Sequence, residues 1–320
     1  MKRSRAFSSG TTLAAIILGV ATLGFAVESD SHVAAQTAST LSQRAVVPLL
    51  AADSAPRPSV LSTVTFDLDP SLTKEEAASL KSALAEEISR AEAGLGLAMP
   101  KLTLTAYRDP GAVAAKRAAW DGFPPQPGGQ WYSCDWCAEA MYGAVFVRIG
   151  SGSLDKPSFP IFGRETLAHE LFHIFQFQIA FKDRNEELLG RSAPPTQVRV
   201  VGPTWIIEGS AHRWARRAGA DYLNVPFADV LASQRKQMAN DPVPLGQMET
   251  GAGFNSSNNP YGTSLVAVDY LVRDRPTAII EFYSAIGRGQ SWQTAFMAAF
   301  GVPLSTFYEQ FAAYRAAAPR

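Results

Sequence analysis

The chain has 320 residues, of which 47% are hydrophobic and 18% are charged. This is the composition of an ordinary globular protein with one large domain or two smaller ones. Lysine and arginine together number 29, as do aspartate and glutamate, so the formal net charge is zero. Because no basic run occurs in the body of the chain, we expect no nucleic acid among its partners.

The N-terminus has the pattern of a secretory signal. Three of the first five residues are basic, and an apolar stretch at about 13–27 follows them. That stretch is short for a membrane span. We therefore expect residues 1–27 to be a cleaved signal peptide, which predicts a protein that is secreted or exported to the cell envelope without stable membrane insertion. A retained N-terminal membrane anchor is the alternative. Residues 28–60 are rich in Ala, Ser, Thr and Pro and are predicted to be a flexible linker.

Order is predicted to begin near Leu61, with strands and helices in alternation. Apolar and polar residues alternate at 64–68, and a similar pattern at 102–106 predicts a second strand. Between them, Thr73 and Glu76 have the spacing of a capping box at the start of a helix, which two glycines at 94 and 96 are expected to end. A short helix is predicted at 112–120.

The stretch 121–138 is dense in Pro, Gly and aromatic residues and is predicted to be a loop. It holds the two cysteines of the chain, Cys134 and Cys137. In an exported protein we expect them to form a local disulfide. A thioredoxin-like redox centre would need a βαβ context, and a zinc site would need two further ligands that the sequence does not offer nearby. Residues 141–149 are predicted to form a strand, either an ordinary sheet strand or an edge strand that could pair with an extended peptide.

Residues 165–176 contain His169-Glu170-x-x-His173 within a long apolar run, and these are two of only four histidines in the chain. Histidines four residues apart lie about 40° from each other around a helix, so both can face one point. Imidazoles at that spacing suit Zn²⁺. Glu170 lies between them, where its carboxylate could take a proton from a metal-activated water.

The apolar residues around this motif leave almost no polar face, which predicts a buried central helix. The alternative is a chance pattern in which His169 and His173 are hydrogen-bonded core residues. Glu165 lies one turn before His169. It is either a partner of the site or a solvated carboxylate at the positive end of the helix dipole.

A second informative stretch follows a polar, Pro-rich excursion at 182–203. In the helix predicted after Pro203, Glu208 and His212 share one face, one turn apart. A catalytic zinc ion usually takes three protein ligands and leaves one position for water. A carboxylate from Glu208 would complete a site with two histidines and one glutamate.

The rest of the chain is predicted to be helical from Phe227 to its end. A Gly/Asn/Ser-rich loop at 251–260 interrupts it, and helices are expected at about 260–271, 276–286, 292–300 and 304–314. The predicted fold class is therefore α+β, with a small, mostly antiparallel sheet subdomain followed by a helical subdomain. The helix that carries His169 would lie at their junction.

The two motifs together resemble a known family. His169-Glu-x-x-His173 followed by Trp205-Ile-Ile-Glu208-Gly-x-Ala is similar to the gluzincin metallopeptidases, and especially to their peptidase MA-like branch, whose second motif is Trp-Leu-x-Glu-Gly-x-Ala. Gln176 also matches the common form of that branch. The likeness covers about residues 140–315, although only the two metal motifs are specific.

The resemblance implies a single zincin-like catalytic domain over residues 61–318. It also implies a set of roles: zinc ligands at His169, His173 and Glu208, and a general base at Glu170.

One departure concerns the residue four positions after the glutamate ligand. Thermolysin-like members have an aspartate there that orients the first histidine, whereas this chain has His212. Either another residue orients His169, or His212 is itself a ligand or a transition-state donor. An oxyanion stabiliser is also expected. Tyr261 is the first candidate, with a packing role as its alternative, and Arg213 and His212 are the others. Tyr270 is predicted to be a core residue.

We therefore expect an exported zinc metallopeptidase that acts on a peptide or protein substrate. Zn²⁺ is its expected cofactor, and Glu170, Tyr261 and His212 are its expected catalytic residues. One alternative is a catalytically inactive zincin-fold binding or adhesion module, against which the intact Glu170 argues. Another is a thiol–disulfide protein built on Cys134 and Cys137.

Overall fold

The computed structural model describes residues 60–122, 124, 130–132, 134, 136–150, 159–192 and 201–318. The predicted signal peptide and nearly all of the predicted linker lie outside the described residues. Within these ranges the fold is α+β, as expected, with eleven α-helices and one four-stranded sheet. None of the described helices has the length and apolar character needed to cross a membrane.

Strands and helices alternate in the first half of the chain. Thr73 and Glu76 cap the first helix reciprocally, as predicted. Gly96 ends that helix in the left-handed conformation, whereas Gly94 lies within it. A 3-10 segment at Val60–Thr63 precedes the first strand, and another lies at Gln130–Tyr132. The regular elements are β1 (Val64–Leu68), α1 (Lys74–Leu95), β2 (Leu102–Tyr107), α2 (Pro110–Asp121), β3 (Trp136–Met141) and β4 (Ala144–Ile149).

The sheet is mixed, with strand order β1-β2-β4-β3. The β1–β2 and β2–β4 pairs are parallel, and only the β3–β4 pair is antiparallel. The expectation of a mostly antiparallel sheet is therefore wrong. Helix α1 carries the chain from β1 to β2, and such a crossover leaves the two strands parallel. The β3–β4 hairpin then places β4, not β3, beside β2.

The single strand predicted at 141–149 is also corrected. Met141 ends β3, a turn with a positive φ at Gly143 follows, and Ala144 begins β4. Because β4 lies between two strands, it is not an edge strand; β3 is. Strand β3 begins inside the stretch predicted to be a loop. Five of its six residues are buried, so its sequence lacks the alternation that marks a strand with one solvated face.

Helices cover both faces of the sheet. Apolar residues of α1 and α3 pack against one face, to which Val145, Val147 and Ile149 point. Residues of α2 pack against the other face, where Cys137 and Phe146 lie. Cys134 and Cys137 form the expected disulfide at the start of β3.

The second half of the chain is helical, and a large apolar cluster forms its core. The polar, Pro-rich excursion at 182–203 contains the short helix α4, and the stretch 251–260, predicted to be a loop, contains the short helix α7. A further 3-10 segment lies at Leu245–Glu249. The helices are α3 (Phe159–Ala180), α4 (Arg184–Ser192), α5 (Thr204–Leu223), α6 (Phe227–Met238), α7 (Gly251–Asn255), α8 (Pro260–Val272), α9 (Ala278–Gly287), α10 (Trp292–Phe300) and α11 (Leu304–Ala316).

Helix α3 is the buried central helix that its sequence predicts. Leu171 and Phe175 pack toward the sheet, while Phe172 packs into the helical core. All three are at most 3% exposed. Because α3 contacts both cores, its polar side chains at 165–176 are held away from water.

Candidate metal centre

Side chains of α3 and α5 meet in a buried group of three residues that could bind a metal ion. His169 and His173 lie one turn apart on α3, and Glu208 lies in the first half of α5. The two histidine Nε2 atoms are 3.0 Å apart. A carboxylate oxygen of Glu208 lies 3.3 Å from Nε2 of His169 and 3.6 Å from that of His173. These three residues form a group that could hold a metal ion.

The spacing of the three ligand atoms fits a small divalent ion. A tetrahedral ion about 2.1 Å from each ligand requires the ligand atoms to be about 3.4 Å apart, and the three separations here lie on both sides of that value. Two imidazole nitrogens and one carboxylate oxygen are also a donor set that transition-metal ions accept. The residues present therefore fit a metal ion.

Close packing of α5 against α8 fixes the position of Glu208. The next residue, Gly209, lies against α8, and a Cβ atom there would come within 2.5 Å of the carbonyl oxygen of Ser264. Since such a distance cannot be accommodated against backbone, only glycine allows α5 and α8 to pack this closely. Trp205 and Ile206, both fully buried, anchor the same turn. The glycine of the second motif thus has a packing role next to the ligand.

Gln176 orients the second histidine. Nδ1 of His173 donates to Oε1 of Gln176 at 2.6 Å, which leaves Nε2 as the ring atom that faces the other two residues of the group. The amide nitrogen of Gln176 in turn lies within hydrogen-bond distance of three acceptors: the carbonyl oxygen of Ile207 and the hydroxyl oxygens of Ser210 and Tyr283. In the sequence, Gln176 is recognisable only as part of the motif. Its hydrogen-bonding role could not be predicted, because its partners Ile207, Ser210 and Tyr283 come from other helices.

His169 lacks such a partner. Its Nδ1 is buried and makes no hydrogen bond with the described residues. His212, four residues after Glu208, is not among the three grouped residues. Its ring centroid lies 6.1 Å from that of His169, and its Nε2 accepts a hydrogen bond from Nε of Arg216 at 3.4 Å.

The electrostatics of the group favour a cation among the ligands. Burial opposes the charge on Glu208, but the imidazole of His173 outweighs it and lowers the carboxyl pKa to about 2. Burial likewise opposes the charge on His173, yet the Glu208 carboxylate raises the pKa of that imidazole to about 9. In His169, by contrast, burial dominates and lowers the pKa. An ionised carboxylate beside two imidazoles is thus stabilised by positive charge at this position.

Glu170 lies between the two histidines and faces the sheet edge. It is 3% exposed, and the backbone N–H of Ala140 in β3 donates a hydrogen bond to its carboxylate. Burial raises the pKa of Glu170 to about 8, with an opposing effect from the charge of His173. The side chain can therefore exist with or without its proton near neutral pH.

Tyr261 and His212 flank the ligands. The ring of Tyr261, in the first turn of α8, lies 6.0 Å from that of His169 and 5.5 Å from that of His212. Burial raises the pKa of Tyr261 well above its usual value, so the hydroxyl stays protonated and can act as a hydrogen-bond donor. Burial, together with the charge of Arg216, lowers the pKa of His212 well below its usual value.

The other residues considered from the sequence lie in different surroundings. Arg213 is paired with Asp269, with a nitrogen–oxygen distance of 2.8 Å, and is not part of the ligand group. Tyr270, expected to be a core residue, is partly buried and packs against aromatic rings of α11 at the border of the helical core. Glu165 is 6% exposed and paired with Arg216, so it is not a solvated carboxylate.

A comparison of the chain with protein-family models, with curated proteins and with solved structures finds no match in any of the three.

Proposed function

We propose that the protein is an exported zinc-dependent metallopeptidase. The observation that carries this proposal is the convergence of His169, His173 and Glu208 on one buried point, with the carboxylate of Glu170 beside it. A group of three ligands leaves a fourth tetrahedral position open, which is the arrangement of catalytic zinc sites rather than structural ones.

Zinc is the metal that this set of nitrogen and oxygen ligands fits well. When bound, it would supply Lewis-acid activation of a water molecule and of a substrate carbonyl group. His169, His173 and Glu208 would hold it, and Gln176 would keep His173 in the tautomer needed for binding.

Glu170 would move the proton in peptide hydrolysis. Its carboxylate would take a proton from the attacking water and return it to the leaving amine. A general base works best when its pKa lies near the working pH, and burial brings the pKa of Glu170 to about 8. Tyr261 and His212 lie beside the ligands, and their hydroxyl and imidazole groups would stabilise the negative charge that develops on the carbonyl oxygen.

An extended peptide is the substrate that suits the surroundings of Glu170. Strand β3 is at the edge of the sheet, and its Ala140 is in direct contact with that carboxylate. Edge strands bind extended segments through backbone hydrogen bonds. A peptide aligned in this way would have its backbone beside the proton acceptor.

The test compares zinc content and hydrolysis in the wild-type protein and two variants. We expect about one zinc ion per wild-type chain, as the three-ligand site implies, and little or none in Glu208→Ala. Glu170→Gln should keep its zinc but hydrolyse a mixed peptide library about 10²–10⁴-fold more slowly, because it has lost its general base. Mass spectrometry of the peptide fragments measures the hydrolysis.

Three outcomes would change the proposal. Zinc binding without hydrolysis in the wild type would indicate a binding or adhesion module. A folded wild-type protein that takes up no zinc would overturn the ligand assignment. Hydrolysis that persists in Glu170→Gln would exclude Glu170 as the base. Export is checked separately by the N-terminal sequence and cellular location of the mature chain.

A further inference from the structure

Three polar side chains, those of Glu165, Arg216 and His212, form a hydrogen-bonded network beside the metal-ligating group. Arg216 donates a hydrogen bond from Nη1 to Oε2 of Glu165 at 3.0 Å, and another from Nε to Nε2 of His212 at 3.4 Å. His212 and Arg216 follow Glu208 at successive intervals of four residues on α5, so all three lie along one side of that helix. Glu165 comes from α3, one turn before His169. The two helices that carry His169, His173 and Glu208 thus also carry the residues of this network.

The position of Glu165 is built into the packing of the two helices. Its carboxylate lies against Gly219 of α5, and any Cβ at that position would overlap it. Glu165 is also 6% exposed. A buried carboxylate of this kind needs a charged partner, and Arg216 supplies it. The guanidinium is therefore held at a fixed place between Glu165 and His212.

Hydrogen-bond chemistry then determines the tautomer of His212. An arginine side chain only donates hydrogen bonds and keeps its charge at all ordinary pH values. Since Nε2 of His212 accepts from Arg216, that nitrogen must offer its lone pair. A neutral imidazole with a lone pair on Nε2 carries its proton on Nδ1. His212 is thus a neutral Nδ1–H donor, with the rings of His169 and Tyr261 as neighbours.

We propose that Arg216, held by Glu165, is a positioning residue that fixes His212 as an Nδ1–H donor next to the metal-ligating group. In the proposed peptidase, that donor would stabilise the oxygen of the substrate carbonyl as it gains negative charge. The catalytic consequence rests on the proposed function, whereas the tautomer assignment does not. A purely structural Glu165–Arg216 ion pair would join the helices without any effect on the His212 proton.

The first experiment reads the tautomer directly. Nitrogen-15 NMR of the histidine rings in the full chain, without added zinc, reports which ring nitrogen carries the proton. With only four histidines in the sequence, a His212→Phe variant suffices to assign the signal. We expect Nδ1–H in the wild type and a shift toward Nε2–H in Arg216→Gln. Arg217→Gln is the matched control, since Arg217 is exposed and contacts the ring of Phe227.

An Nε2–H signal in the wild type, or an unchanged tautomer in Arg216→Gln, would overturn the assignment. If Arg216→Gln does not fold, Glu165→Gln provides the second variant. It keeps the shape of residue 165 and loosens Arg216, so we expect a partial shift of the same kind. No shift in a folded Glu165→Gln would contradict the holding role of Glu165.

The second experiment measures the consequence for catalysis. Removal of one oxyanion donor lowers kcat by about 10²–10³-fold, so we expect Arg216→Gln to lower kcat about 10²-fold. KM and zinc content should change little, because the interaction is made in the transition state. An active wild type with unchanged kcat in Arg216→Gln would refute the positioning role alone. A tautomer shift in a protein that hydrolyses nothing would refute the peptidase alone.

Discussion

Two groups of buried charged side chains differ in the source of their positive charge. On the α2 side of the sheet, Arg117 binds Glu139 through two nitrogens, at 3.1 and 3.0 Å, and also pairs with Asp121. Between α3 and α5, Glu208 faces two imidazoles. In the part of the chain that the structure describes, no lysine or arginine pairs with Glu208.

The difference indicates what each group requires. A buried carboxylate keeps its charge only with compensating positive charge, and otherwise takes up a proton. The Arg117 group contains that charge permanently, because a guanidinium does not lose its proton. The imidazoles near Glu208 offer lone pairs, so positive charge there must come from a proton or a metal ion. The first group therefore contains its own cation, whereas the second is a group that could hold a proton or a metal ion.

The largest expected effect on stability comes from removal of the permanent cation. Arg117→Met would leave two buried carboxylates, and removal of one partner of a buried ion pair costs about 3–5 kcal/mol. Urea unfolding at neutral pH measures the loss. Lys116→Met, one residue earlier, is the control. Its partner Asp67 is partly exposed, and exposed pairs contribute about 0–1 kcal/mol.

The same Arg117→Met variant should keep the zinc content of the wild type, because Arg117 pairs with Glu139 and Asp121 and not with the three grouped residues. A stability loss no larger than that of Lys116→Met would mean that the two carboxylates reach water. The contrast between the two groups would then not hold.

A smaller effect, on metal affinity, is expected from a substitution that leaves His169, His173 and Glu208 in place. Gln176→Leu removes the acceptor for Nδ1 of His173. Loss of such an orienting partner weakens metal binding about 10–100-fold. Competition with a chromophoric zinc chelator measures the affinity. An unchanged affinity would show that packing alone orients His173, as it must for His169, whose Nδ1 has no partner among the described residues.

Local sequence patterns predicted which side chains of α3 enter the buried group. The spacing of His169 and His173 and the apolar run around them are properties of one helix, so α3 and its histidine pair could be deduced without tertiary information. Strand β3 could not, because both its faces are buried and its edge position depends on how β4 pairs with β2. The spacing of His212 and Arg216 is visible in the sequence, but their link to Glu165 depends on how α3 and α5 cross.

The smallest expected effect concerns Glu87, whose pairing with arginine is intermediate between those of the two groups. Glu87, on α1, is 1% exposed. Its oxygens lie 3.3 Å from Arg90 and 3.7 Å from Arg164, so its ion pairs are looser than those of Arg117. Burial outweighs both arginines and raises the pKa of Glu87 above its usual value. The folded state thus binds this proton more tightly than the unfolded state does.

Stability contributed by a raised carboxyl pKa is present at low pH and is lost as pH rises through the folded-state value. Wild-type protein should therefore lose stability relative to Glu87→Gln as pH increases from about 4 to 7, since the unfolded pKa of glutamate is about 4.3. Unfolding in urea across this range, with chelator present to remove any metal contribution, measures the difference. A wild type that instead becomes more stable relative to Glu87→Gln as pH rises would contradict this expectation. That result would mean that Arg90 and Arg164 compensate the charge of Glu87 as fully as Arg117 compensates that of Glu139. Loose pairing would then suffice to stabilise a buried carboxylate, and the missing cation near Glu208 would be a weaker reason to expect a metal.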